Sequence, residues 1–178
     1  MSHLVFFDTL SDRDYKAGEA RKIEYWANPP EVGDRVSLGS ERLWSIVGVD
    51  RYESPENTRE AIYLVHCAIG EVEKRANWFR VRAYRDRQPN LQLFLGEGLL
   101  LQVRRNLTGD RPAIGSLLPQ YHPQEKTVTS QPWGIAAIDS YIPDANIVQP
   151  CYLTVHLCEC VYVPEVLESE KAEHFVKV

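Results

Sequence analysis

The chain has 178 residues, of which 44% are hydrophobic and 25% are charged, and a formal net charge of −5 at pH 7. These values are ordinary for a soluble globular protein, and no run approaches the roughly 20 apolar residues that a membrane helix needs. The N-terminus lacks the basic segment of an export signal, so the four cysteines are expected to be reduced thiols. We therefore predict a cytoplasmic protein that does not bind membranes.

The charge is unevenly distributed along the chain. Residues 74–111 contain nine Lys or Arg residues and three acidic residues, a local charge of +6, which leaves −11 for the remainder. Such asymmetry has two interpretations. Either the basic and acidic regions neutralise each other within one molecule, or the basic segment meets a partner.

Short β-like runs separated by turn residues follow one another along most of the chain. A first strand is predicted at 3–7, and residues 12–25 are rich in helix formers and predict a helix that Pro29-Pro30 would end. Gly96-Glu97-Gly98 fits a three-residue hairpin loop, and residues 165–175 have a helical composition. Further strands are predicted at 35–38, 43–52, 61–69, 77–84, 91–95, 99–103, 116–119, 134–141 and 151–163.

Residues 44–64 recur at residues 133–153 without a gap. Seven of the 21 positions are identical, where chance would give roughly one or two, and internal repeats indicate the architecture of a chain. A Pro-x-(Val/Ile)-Gly turn also precedes each copy, at 30–33 and at 112–115. The identical pairs are Trp44/Trp133, Ile46/Ile135, Asp50/Asp139, Tyr52/Tyr141, Asn57/Asn146, Tyr63/Tyr152 and Leu64/Leu153.

The repeat predicts an all-β protein made of two tandem, related modules. Short antiparallel strands in 50–80 residues close most economically into a small barrel, and Val-Gly-Asp-Arg-Val with the strands after it resembles an SH3-like barrel. One continuous two-sheet sandwich with pseudo-twofold symmetry is the alternative. The predicted parts are an N-terminal extension (1–28), repeat 1 with an inserted hairpin (29–110), repeat 2 (111–163) and an acidic C-terminal tail (164–178).

Every repeated side chain has a structural role available. The two tryptophans lie on alternating strands and are predicted to be core residues. The two aspartates stand near strand ends and are predicted to hold turns through backbone amides, while the two asparagines suit positive-φ loop positions. These residues are Trp44, Trp133, Asp50, Asp139, Asn57 and Asn146.

The run 151–163 gives the clearest alternation and places His156, Cys158 and Cys160 on one face. Zinc favours such donors, but Cys-x-Cys is not the usual Cys-x2-Cys spacing, and a fourth ligand such as His122 would have to come from elsewhere. We expect the other face, from Cys151 to Val163, to be the core side, and the thiols to be buried against the partner module. No metal site and no cofactor are predicted, although metal binding by the three residues stays open.

As a strand, residues 77–84 would place two aromatic rings and two guanidinium groups on one face. Such a face suits an acidic protein partner, because Trp, Tyr and Arg are enriched at interaction hot spots. It also suits bases and phosphates of a nucleic acid, although the overall acidity counts against that partner. A third possibility is cover by the acidic tail through Glu168 or Glu170. The predicted binding residues are Trp78, Arg80, Arg82, Tyr84, Arg85 and Arg104.

No catalytic motif is recognised in the sequence. A phosphate-binding glycine loop and a nucleophile elbow are both absent, and no histidine stands in a known catalytic motif. His66 and Cys67 would point to opposite faces of a strand, so they cannot act together as base and nucleophile. We therefore predict a non-catalytic protein-interaction or scaffolding protein, with an RNA- or single-strand-binding accessory factor as the alternative.

Overall fold

A computed structural model describes residues 2–9, 22–39, 42–56, 59–85, 88–106, 111–122, 127–147, 150–163 and 176–177. These residues are mostly β with one helix, so the predicted all-β class is confirmed. The elements are β1 (His3–Thr9), β2 (Lys22–Trp26), β3 (Arg35–Ser37), β4 (Leu43–Glu53), β5 (Ile62–Ala68), α1 (Val72–Arg85), β6 (Gln88–Gly96), β7 (Leu99–Asn106), β8 (Ser116–His122), β9 (Thr127–Pro143), β10 (Tyr152–Tyr162) and β11 (Val176–Lys177).

The sheet is open and mixed, and closed SH3-like barrels are not observed among the described residues. One reason lies in the segment predicted to be an N-terminal extension. β1 pairs in parallel with β5, and β2 then pairs with β1, so the edge of β5 that a small barrel would need for closure is occupied. The helix predicted at 12–25 is wrong over 22–25, which belong to β2, and its residues 12–21 lie outside the described part.

The chain divides into two compact units, each formed by two stretches of sequence. The first unit contains residues 1–89 and 141–154, and the second contains residues 90–140 and 155–178. The predicted tandem boundaries at 29–110 and 111–163 stay a prediction.

The first unit is built on strands in the order β2-β1-β5-β4, with β3 beside β4. Strand side chains alternate between the two faces of a sheet, and here both faces are buried. One face carries a core that includes Phe7, Trp44 and Val65. The other face packs Val47 and Ala68 against α1. The strand β5 is buried over its whole length. A strand that is covered on both faces has a nearly continuous apolar sequence instead of an alternating one, and β5 has such a sequence.

A β-bulge in β4 sets which side chains face α1. Ile46 pairs with Cys67, but the next pair is Gly48 with His66, so Val47 is the extra residue. A bulge of this kind locally changes the alternation of a strand. Beyond the bulge, Gly48 and Asp50 share a face of the sheet with His66.

The predicted strand at 77–84 is wrong, because these residues belong to α1. Val72, Ala76 and Phe79 recur at helical spacing and pack together against β4 and β5. Glu73 lies in the first turn, where a negative charge stabilises the helix dipole. The apparent alternation after residue 77 is therefore a section of a helical period that begins five residues earlier.

The second unit has the strand order β9-β10-β6-β7, with β8 beside β9 and β11 parallel to β8. Its core contains Phe94, Leu118, Ile135 and two cysteines described below. The loop between β6 and β7 has two residues rather than the predicted three, since Gly96 pairs with Leu99. Glu97 and Gly98 have φ values of 53° and 79°, as a type I′ hairpin turn requires. The terminal segment 165–175 lies outside the described residues.

Matching turns precede the two copies of the repeat. The Gly33 N–H donates to the Ile46 carbonyl oxygen at 2.8 Å, and the Gly115 N–H donates to the Ile135 carbonyl oxygen at 2.8 Å. Both glycines have positive φ, 100° and 90°, a conformation that glycine adopts without steric cost. Trp44 is buried as predicted, whereas its counterpart Trp133 is only half-buried.

The polar residues of the second copy do not take the roles predicted for them. Asp139 lies within β9 rather than in a turn. Asn146 does not have a positive φ; instead its N–H donates to Asp144 Oδ1 at 2.9 Å. Asn57, the equivalent asparagine of the first copy, lies outside the described residues.

Candidate functional site

Three side chains with different donor atoms meet beneath α1 in the first unit. Asp50 comes from β4, His66 from β5, and Cys151 directly precedes β10. One carboxylate oxygen, one ring nitrogen and the thiol sulfur all lie within 4.8 Å of one another. Asp50 is 0% exposed and His66 is 2% exposed, whereas Cys151 is half-buried. We refer to these three residues as the Asp-His-Cys cluster.

The β4–β5 register and the helix together position the cluster. Gly48 pairs with His66, so Asp50, two residues further along β4, is the diagonal neighbour of His66 on the same face. The Phe79 ring stacks on the imidazole, with centroids 4.3 Å apart and planes inclined by 25°. Gly48 is required for this arrangement, because a Cβ there would lie 2.6 Å from Cδ1 of Phe79. Helix α1 thus covers the buried side of the cluster.

The cluster is strongly polar. Arg80 Nη1 lies 3.2 Å from Asp50 Oδ1, and His66 Nε2 lies 3.5 Å from Asp50 Oδ2. Burial by itself raises the pKa of Asp50, but His66 and Arg80 outweigh it and lower that pKa below its usual value. Burial lowers the pKa of His66, but Cys151 and Asp50 outweigh it and raise that pKa to about 10. The buried charges are therefore compensated by opposite charges, as burial requires.

Two expectations concern these residues, of which the first is wrong and the second is confirmed. Asp50 does not hold a turn, because it lies within β4 and pairs with Arg80 and His66. His66 and Cys67 do point to opposite faces, and Cys67 lies in the core on the other side of the sheet, where burial raises the pKa of its thiol to about 12. The thiol beside His66 is that of Cys151, 85 residues further along the chain. A thiol, an imidazole and a carboxylate in contact can bind a metal ion or form a nucleophile–base–acid group.

The helix divides the predicted binding residues between different faces. In a strand, residues 78, 80, 82 and 84 would share one face, but in a helix only positions three or four apart are neighbours. Trp78 is 37% exposed on the outer side of α1. Arg80 has a side chain that is 42% exposed and lies over the Phe79 ring with its guanidinium on Asp50. The side chains of Arg82, Tyr84 and Arg85 lie outside the described part.

Arg104 lies on β7 in the second unit, with its guanidinium 5.6 Å from the centroid of the Phe94 ring. Among the described residues, the carboxylate that pairs with Arg80 is that of Asp50. Glu168 and Glu170, the predicted tail partners, lie outside the described residues.

The three donors of β10 are buried in the second unit. His156 Nδ1 lies 2.8 Å from the Ser140 hydroxyl oxygen, while Cys158 and Cys160 pack in the core around Phe94. Burial raises the pKa of both thiols to about 12. The predicted burial of these two thiols is confirmed, while their packing against a partner module stays a prediction. The side chain of His122, the fourth ligand considered, lies outside the described part.

The face of β10 that was predicted to form the core is partly exposed. Leu153 and Val161 are exposed, whereas Val155 and Leu157 are buried. The prediction failed at the two ends of the strand because only its middle section is covered on both faces, and alternation alone does not reveal where the cover ends.

Comparisons with protein-family models, with curated proteins and with solved structures found no match. No helix in the described ranges is both long enough and apolar enough to cross a membrane.

Proposed function

We propose that this chain is a non-catalytic interaction protein that binds an acidic protein partner through the outer face of α1. The observation that carries the proposal is an apolar pair on a basic helix. Trp78 and Val81 are 37% and 66% exposed, and residues three apart are neighbours on a helix surface. Within α1, five basic residues stand against one acidic residue, although the whole chain has a net charge of −5.

The two sides of α1 differ from those of an ordinary surface helix. Phe79 and Ala76 already form the apolar stripe that packs on the sheet, and the opposite side of such a helix is normally polar. Here that side carries exposed Trp and Val side chains instead. Tryptophan is enriched at interaction hot spots, and the excess of basic residues in the helix favours encounter with an acidic surface.

An RNA- or single-strand-binding factor is the second candidate. The same ring and the same cations could stack on bases and pair with phosphates. Two observations count against it. The chain is acidic, with a pI of about 5.6, whereas nucleic-acid-binding domains are usually basic. In addition, the Arg80 guanidinium already pairs with Asp50.

The absence of catalysis is supported by the position of the Asp-His-Cys cluster. Phe79 covers the imidazole of His66, and Asp50 is fully buried, so a bulky substrate has no direct approach to these two side chains. All four cysteines are free thiols, which fits the reducing cytosol, and we place the protein there.

We further infer that the scaffold arose by internal duplication. The matching turns at Gly33 and Gly115, each bonded to the equivalent isoleucine carbonyl, support this origin beyond the identities in the sequence. Each turn leads into a strand that pairs with the first strand of its copy, β3 with β4 and β8 with β9.

The test is a retention experiment with the immobilised full-length chain. The double variant Trp78→Ala/Val81→Ser removes the apolar pair, and Leu99→Ser, an equally exposed apolar site in the second unit, is the matched control. Loss of a hot spot costs about 2 kcal/mol or more, so the double variant should weaken binding at least about 30-fold. Val81 is largely exposed, whereas Trp78 is 37% exposed, so circular dichroism and the melting temperature are measured to establish that the double variant is folded.

Nuclease treatment and salt distinguish the two candidates. A protein partner is supported if the wild type and Leu99→Ser still retain proteins from a nuclease-treated lysate and the double variant does not. Retention that disappears with nuclease, together with tight binding of an RNA oligonucleotide that weakens steeply with salt, would favour the nucleic-acid alternative. Equal retention by the wild type and the double variant would refute the α1 surface.

A further inference from the structure

The Asp-His-Cys cluster contains two buried polar atoms that face each other without forming a hydrogen bond. Within the described residues, neither Asp50 Oδ2 nor His66 Nε2 has a hydrogen-bond partner. The two atoms are 3.5 Å apart, and their residues are almost completely buried. Buried polar groups nearly always have a hydrogen-bond partner, so each exception requires an explanation, and in this cluster two of the exceptions lie side by side.

The separation of the two atoms fits two ligands of one metal ion. In a tetrahedral zinc site, metal–nitrogen and metal–oxygen bonds of about 2.0–2.1 Å place neighbouring ligand atoms about 3.3–3.5 Å apart. The Cys151 sulfur lies within 4.8 Å of a carboxylate oxygen of Asp50 and of a ring nitrogen of His66, and metal–sulfur bonds are longer, about 2.3 Å. A single ion can therefore contact all three donors with small side-chain adjustments.

We propose that Asp50, His66 and Cys151 bind one divalent transition-metal ion, with Zn²⁺ as the best-suited ion. Thiolate and imidazole ligands favour zinc over magnesium and calcium, which prefer oxygen ligands. The two anionic ligands balance the charge of the ion. Three protein ligands leave the fourth position of a tetrahedral site for water or another small ligand.

The surroundings of the cluster match those of metal sites in proteins. The second carboxylate oxygen of Asp50 contacts Arg80 at 3.2 Å, and such outer contacts fix the orientation of a ligating carboxylate. The Phe79 ring packs on the face of the imidazole and supplies an apolar cover that limits access of solvent. The half-buried Cys151 is the most accessible ligand of the three, which gives an ion a path of entry.

The test uses the full-length chain, treated with a chelator and then titrated with Zn²⁺ or Co²⁺. We expect one ion per chain, and for Co²⁺ an absorption band from thiolate-to-cobalt charge transfer. Cys151→Ser should abolish that band and weaken Zn²⁺ affinity by more than about 100-fold, the upper range for loss of an outer contact. Arg80→Gln should weaken it by about 10-fold.

Cys67→Ala is the matched control, because Cys67 neighbours His66 in β5 but lies in the core on the opposite face. This variant should bind the metal as the wild type does. Circular dichroism establishes that each variant is folded. If Cys151→Ser does not fold, a second measurement replaces its titration. In the wild type, Zn²⁺ should protect Cys151 from modification by iodoacetamide, which mass spectrometry measures. Failure of the folded wild type to bind Zn²⁺ or Co²⁺, or equal binding by Cys151→Ser and the wild type, would overturn the proposal.

Discussion

The contact between Gly48 and Phe79 gives a stability prediction that can be worked from the structure. A Cβ at position 48 would lie 2.6 Å from Cδ1 of the ring, well inside van der Waals contact. The ring cannot move away freely, because it is 2% exposed and is packed between β4, β5 and the His66 imidazole. Gly48→Ala should therefore lower the free energy of unfolding by about 1–3 kcal/mol, the usual cost of overpacking.

Phe79→Ala provides the second arm of a double-mutant cycle. Removing the buried ring should cost about 3–5 kcal/mol. In the double variant the methyl group added at position 48 enters the space that the ring has left, so most of the overpacking cost disappears. The two effects should then be less than additive by about 1–3 kcal/mol. Urea denaturation followed by circular dichroism measures all four free energies of unfolding.

Gly96→Ala is the control for this cycle. A Cβ at Gly96 would contact Trp133 and Leu101 in the second unit, so its cost should simply add to that of Phe79→Ala. A stable Gly48→Ala variant would refute the proposed role of Gly48, as would additivity between Gly48→Ala and Phe79→Ala. Either result would mean that α1 does not rest on β4 at this point.

Two further predictions concern a buried hydroxyl and the thiols. The Tyr52 hydroxyl donates to the Tyr152 carbonyl at 3.0 Å and accepts from the Tyr152 N–H at 3.3 Å. Tyr52→Phe removes both buried hydrogen bonds and should lower the free energy of unfolding in urea by about 1–3 kcal/mol. The control Tyr162→Phe, at an exposed tyrosine, should cost little. In the chelator-treated folded protein, iodoacetamide should modify Cys151 before the three core cysteines, because burial raises the pKa of those three thiols to about 12. Mass spectrometry measures the order of modification. Equal labelling of all four cysteines would contradict the prediction.

Most strands could be predicted from the sequence because their alternation and the turn residues around them act over short distances. The β4 and β5 strands are examples, since each is apolar and the polar segment 54–60 separates them. Helix α1 was missed because residues 77–84 alternate as a strand would, and the inward positions that reveal a helical period begin at Val72. The parallel pairing of β1 with β5 depends on long-range contacts, for which local patterns give no information.

Part of the Asp-His-Cys cluster was within reach of sequence reasoning. A hairpin that turns near residues 54–60 places Asp50 and His66 on neighbouring strands, so its register could have brought the two together. Cys151 offered no comparable pattern, because its position depends on how the segment 141–154 joins the first unit. Its match with Asp139 near a predicted strand end favours a turn role for Asp50, whereas the β4–β5 register decides which side chains Asp50 meets.

Asp50 and His66 belong to the first copy of the repeat, whereas Cys151 stands in the second copy, and comparison of the copies shows what the second copy lacks around Asp139. At the spacing of 89 residues, Asp139 corresponds to Asp50, but Val155 stands where His66 would be and Ala137 stands where Gly48 would be. Ala137 has a Cβ, which at the equivalent Gly48 would clash with the Phe79 ring. Val155 provides neither a base nor a metal ligand in place of His66. If the scaffold arose by duplication, the aspartate was therefore common to both copies. The histidine, the glycine and the covering helix together make the first copy different, and the proposed metal site depends on these three features together with Cys151 from the second copy.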